Sequence, residues 1–138
     1  MKYLKLLLLS LFLMSFQCEE DILIEDDRLF ETGLLGTWEI ADETINGIGD
    51  LLPKCCLFLE FYPDDNYSDL QGFFSYTEGE TEISQGRFLV DPSEQVIIFS
   101  REGREDRVYT YSMNQPQDIL VLHFFEDDAA FIQTWNKQ

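Results

Sequence analysis

The chain has 138 residues, 45% of them hydrophobic, with 12 Phe, 6 Tyr and 2 Trp, which is apolar surface for one compact domain. Its formal net charge of -18 excludes nucleic acid as a partner, because a phosphate backbone calls for clustered Lys and Arg. The same charge excludes electrostatic docking on anionic lipid and favours a well-solvated surface.

The chain opens with a basic stretch, Met1 to Lys5, followed by the apolar run Leu6 to Phe16. That run is too short for a mature membrane-spanning helix, which needs about 20 residues. A basic start and an apolar segment of this length make a secretory signal. The run ends at Cys18, with Gln17 where a small residue is usual. This resembles the signal of a bacterial lipoprotein, in which the cysteine becomes the acylated first residue. Residues 1–17 are then the signal peptide and Cys18 the lipidation site. Glu19, Glu20 and Asp21 resemble the tag that sends such lipoproteins to the outer face of the outer membrane. The resemblance implies a cell-envelope protein, anchored by lipid to the outer membrane and exposed at the cell surface. Loss of Met1 to Gln17 removes two lysines and no acid, so the mature chain is more acidic still.

Residues 18–33 read as an acidic tether. Leu29, Phe30 and Leu34 fall on one side of a helical turn near its end, suited to capping a domain. From Leu34 onward the chain is built of short apolar runs separated by turn residues. The runs are Thr37 to Ile45, Cys55 to Tyr62, Tyr67 to Thr77, Thr81 to Val90, Gln95 to Arg101, Glu105 to Met113, Asp118 to Phe125 and Ala129 to Trp135. Such spacing signals an all-β sandwich or barrel. Gly72 suggests a bulge or bend in the third run. Short links force antiparallel neighbours, because a parallel crossover needs a dozen or more residues. Eight consecutive antiparallel strands suit an up-and-down barrel, which removes exposed edges.

Leu35-Gly36-Thr37-Trp38 at the head of eight strands resembles the lipocalins, and more closely the short lipocalin-like domain of bacterial surface lipoproteins. The segment Leu59 to Asn66 fits the second strand and its turn, and Thr134 to Lys137 fits the last strand. The resemblance spans Leu34 to Lys137. It implies an eight-stranded lipocalin-like barrel over residues 34–138, with Gly36 and Trp38 closing one end and a small apolar molecule as ligand. Lipocalins pack an arginine across the tryptophan, whereas Lys137 is the only basic residue in that region here. Arg28 and Arg107 are the candidates to close the barrel differently.

An eight-stranded barrel is just wide enough to be filled by side chains or to hold one small ligand. Phe58, Phe61, Phe73, Phe88, Phe99, Tyr109, Tyr111, Phe124 and Phe131 are candidates to fill it. In the connection Asn46 to Lys54, Ile48, Leu51 and Leu52 fold over the mouth, either as a lid with Gly47 and Gly49 as hinges or as a loop packed permanently onto the barrel. Ile48, Leu51, Leu52, Tyr109 and Tyr111 are therefore the expected ligand-binding residues. The alternative is a filled barrel that acts on a protein partner through its acidic surface and loops.

No catalytic constellation is legible, and the expectation is a protein that is not an enzyme. His123 is the only histidine, sharing a strand face with Val121 and Phe125, and reads as a core or rim residue. No Gly-x-Ser-x-Gly nucleophile motif is present. Cys55 and Cys56 are adjacent, with Cα atoms about 3.8 Å apart, too close for an unstrained disulfide. In a strand one thiol points inward and one outward. They lack further ligands for a metal. Asp64, Asp65, Asn66 and Asp69 form an oxygen-rich turn without EF-hand spacing. No metal and no cofactor is expected, and no particular protein partner is indicated.

Overall fold

The computed structural model describes residues 27–49 and 54–138. A single helical turn, α1 (Arg28–Glu31), precedes β1 (Gly36–Ile45), a two-residue β2 (Ile48–Gly49), β3 (Leu57–Pro63), β4 (Gln71–Glu78), β5 (Thr81–Asp91), β6 (Val96–Ser100), β7 (Arg107–Met113), β8 (Ile119–Glu126) and β9 (Ala129–Lys137). Neighbours in the sheet are neighbours in sequence and antiparallel, and β9 pairs back onto β1 from Trp38↔Lys137 to Ile45↔Phe131. This is a closed eight-stranded up-and-down barrel, with β2 as a small hairpin extension of β1. Closure leaves no long unpaired edge to template aggregation.

Alternation decides what the barrel contains. Trp38, Ile40, Leu59, Phe61, Phe74, Phe88, Val90, Ile97, Phe99, Tyr111, Leu120, Leu122 and Trp135 are buried in one continuous core. Phe61 meets Phe88 edge-on at 5.0 Å and Phe74 meets Phe99 at 4.8 Å, a geometry that aromatic quadrupoles favour. Two of the expected filling residues point the other way. The ring of Phe73 lies against Tyr62 and under the Arg87 guanidinium, and Phe58 shares its outward face. The residue that turns inward in β4 is Phe74. His123 is likewise exposed on the outer face, opposite Thr110 and Ile132, rather than in the core or rim.

Gly72 makes no bulge. It pairs regularly with Pro63 and Phe88, and an added Cβ would lie 2.5 Å from the Tyr62 carbonyl and 2.7 Å from the Phe88 ring. The register shifts fall elsewhere. Ala41 is the extra residue between Ile40 and Asp42, and Ile83 the extra residue opposite the Tyr76–Thr77 step. The run expected from Tyr67 begins as a strand only at Gln71. The preceding backbone is claimed by side chains: Asn66 Oδ1 accepts from the Ser68 N–H and hydroxyl, and Asp69 Oδ1 accepts from the Gln71 N–H. Such local bonds compete directly with strand pairing.

One end of the barrel is closed by the segment before β1. Leu29 and Leu34 are fully buried, the Leu29 N–H donates to the Tyr67 carbonyl, and Phe30 packs its ring at a tilt against Tyr67 while staying half exposed. Trp38 is 0% exposed, and its indole N–H donates to the Leu34 carbonyl at 2.7 Å. Lys137 Nζ lies 5.0 Å above the Trp38 ring and donates to the Gly33 carbonyl at 2.8 Å. Gly36, at φ 122°, gives the Lys137 stem room: a Cβ there would sit 3.3 Å from it. Lysine thus takes the place expected of Arg28 or Arg107. Arg28 is exposed on α1, and Arg107 starts β7 at the opposite end of the barrel.

Candidate functional site

Among the described residues, nothing closes the end of the barrel away from Trp38. Between the core aromatics and this mouth lies a cavity of about 320 Å³, at the small end of the roughly 300–1,000 Å³ range of ligand pockets. Its floor is apolar, formed by Leu59, Phe74, Phe99, Leu122 and Trp135. Its rim is polar and cationic, formed by Arg101, Arg104 and Arg107 with Glu126, Gln133 and Ser84.

The register shift at Ile83 faces this site, and bulges commonly re-aim side chains beside binding sites. The shift at Ala41 turns Glu43 inward opposite Gln133. Gln133 Nε2 donates to Glu43 Oε2, and Lys54 Nζ pairs with Glu43 Oε1 at 3.0 Å. The bulged Ile83 leans over the cavity and is 49% exposed. Tyr76 lies edge-on to Trp135. Burial, then the charges of Glu43 and Glu78, push its hydroxyl above the ordinary tyrosine pKa, so it stays protonated.

The rim arginines come from one turn. Arg101 follows β6, Arg107 opens β7, and the Arg104 N–H donates to the Arg101 carbonyl between them. Arg107 pairs with Glu126. A bond to Tyr109, with the nearby Glu126 carboxylate, holds the Arg107 pKa up against its partial burial. Arg101 shifts the opposite way, lowered first by burial and then by the charges of Arg107 and Arg104. An arginine still keeps its proton under any ordinary condition.

Two buried side-chain nitrogens among the described residues lack a hydrogen-bond partner, Arg101 Nε and Trp135 Nε1. Both belong to residues that line this cavity, and both are donors. An unsatisfied buried donor costs about 1–3 kcal/mol.

Of the residues expected to bind a ligand, Tyr109 lines the cavity, stacked on Phe124 at 4.2 Å. Tyr111 sits deeper, in the core beyond the cavity lining, with its hydroxyl pKa raised by burial. Ile48 is 75% exposed in β2, where the Asn46-Gly47 turn pairs it with Ile45, and it lines no part of the cavity. Leu51, Leu52 and Cys18, the expected lipidation site, lie outside the described residues. Cys55 and Cys56 are free and exposed, ahead of β3 instead of within it, so strand alternation does not sort them. A contact with Cys55 raises the Cys56 thiol pKa. Asp64 pairs with Arg87 and caps the turn at Asn66, so its carboxylate is engaged by the turn itself.

The arginine rim and Trp135 were missed as site residues from sequence. A signal existed: three of the chain's nine Lys and Arg residues fall within seven positions, three apart, in a strongly acidic chain.

No family model matches the chain, and no curated protein matches it. Among solved structures it is similar to the wild-type fluorescent protein UnaG. The sequence identity is 14% and the TM-score 0.49, covering 78% of this chain and 98% of that one.

Proposed function

We propose that this protein binds one small, mostly apolar molecule in the open end of its barrel, and that it acts by binding rather than by catalysis. The carrying observation is the cavity itself, with an apolar floor and a cationic rim. A barrel filled to the mouth and working only through its surface would leave no such cavity. The neutral dye N-phenyl-1-naphthylamine should gain emission with saturable one-to-one binding. Ser84→Trp, which projects a ring into the cavity, should weaken that binding at least tenfold. A signal that never saturates, or that Ser84→Trp leaves unchanged, would refute the reading.

Location follows from the sequence of the leader. The chain is exported and held at the cell envelope through acylated Cys18, at the outer membrane with the barrel facing outward. Each buried CH₂ of an acyl chain contributes about 0.8 kcal/mol, enough over several chains to hold an acidic domain that lipid headgroups would not attract. Cys18→Ser should move the protein from the membrane to the soluble fraction. Unchanged fractionation would rule the anchor out.

A further inference from the structure

Resting on the cavity reading above, we infer that the ligand is an apolar carboxylate, whose carboxylate seats on Arg101 and Arg104 at the barrel mouth. The turn Arg101-Glu102-Gly103-Arg104-Glu105-Asp106-Arg107 has as many acids as bases. The fold separates them. All three arginines line the cavity, while Glu102, Glu105 and Asp106 are exposed and absent from its lining. The ion pairs among the described residues are Lys54–Glu43, Arg87–Asp64 and Arg107–Glu126. Only the third arginine of the rim is therefore answered by a carboxylate.

Like charges gathered on a partly desolvated rim repel one another. Here they do so around a buried Arg101 Nε that has no acceptor. An arriving carboxylate relieves the repulsion. Its two oxygens match the planar fork of a guanidinium in a bidentate pair, which a neutral hydroxyl cannot reproduce. The apolar part of the same molecule then lies over Tyr109, Phe99 and Leu122. The rest of the surface is acidic, so a rim of this sign is a local exception and selects ligand charge at the mouth.

Calorimetric titration with decanoate and with decan-1-ol, which share a ten-carbon chain, tests the inference. Decanoate should bind at least tenfold more tightly than the alcohol, with the gap shrinking as salt is added. Arg101→Gln with Arg104→Gln should weaken decanoate until the two ligands bind alike. Should that double variant fail to fold, Arg104→Gln alone, at an exposed turn position, should still narrow the gap several-fold. Equal affinity of acid and alcohol for the natural protein would overturn the carboxylate inference and leave the cavity reading standing. Binding of neither would overturn both.

Discussion

Replacing Trp38 with alanine is expected to bring the domain close to unfolding. The indole is fully buried and covered on one face by the Lys137 ammonium. Large-to-small changes at buried aromatics cost about 3–5 kcal/mol, against a total stability of roughly 5–15 kcal/mol for a domain. The change also leaves the Leu34 carbonyl without the indole N–H and Lys137 without its ring. Trp38→Phe should be milder, because most of the apolar body stays. What it loses is the one hydrogen bond, with a penalty of about 1–3 kcal/mol for the buried carbonyl left behind. Urea unfolding followed by far-ultraviolet circular dichroism gives both values. A Trp38→Ala midpoint equal to that of the natural protein would show that the closed end does not hold the barrel together.

Gly86→Ala should be the most damaging of the glycine substitutions in the strands. A Cβ at Gly86 would lie 2.1 Å from the Ser100 carbonyl oxygen and 3.1 Å from the Phe74 ring. The first contact is with backbone, which no rotamer change relieves, so β5 and β6 would have to part near the Arg87↔Ser100 pair. Forced overpacking of this kind costs about 1–3 kcal/mol, and the upper end is expected because a strand must move. Gly49→Ala is the matched control. Nothing lies within 4 Å of its Cβ position and its φ is not positive, so the change should stay within about 0.5 kcal/mol. Equal unfolding midpoints for the two variants would contradict the packing described here. Because Gly86 sits one strand away from Arg101, the same variant should also disturb the cavity rim.

The architecture was legible because it is local. Period-two alternation and turn residues mark each of the eight strands, and short links leave few ways to join them. What escaped was information that depends on register. Phe73 and Phe74 are adjacent in sequence, and only the start of β4 at Gln71 decides which of them enters the barrel. That start is set by side chains of Asn66 and Asp69 bonding to nearby N–H groups, a competition invisible to a pattern of apolar residues. The bulges at Ala41 and Ile83 are likewise silent in the sequence, yet one sets Glu43 opposite the cavity residue Gln133 and the other brings Ile83 to the cavity.

The site was harder to read for a related reason. Apolar loop residues such as Ile48 attract attention because their exposure looks unfavourable, but an Asn-Gly turn is a sufficient reason for a hairpin there. Arginines in an acidic turn look like solvated charge until the fold sorts them by side. Trp135 looks like core, and it is core on every side but one. Its buried N–H faces no protein acceptor, which no sequence pattern can announce. The basic residue at the closed end was visible as Lys137. Its role was not, because the contact over Trp38 depends on Gly36 leaving room for its stem.

The most direct test of the central claim, that the open end of the barrel is a binding site, is a two-dimensional amide and indole NMR titration with decanoate. The account predicts shifts gathered at Arg101, Arg104, Arg107, Tyr109, Gln133 and the Trp135 indole N–H, with Trp38 at the closed end unmoved. Shifts confined to the outer face around Tyr62, Phe73 and Phe125, or no shifts at saturating ligand, would contradict it.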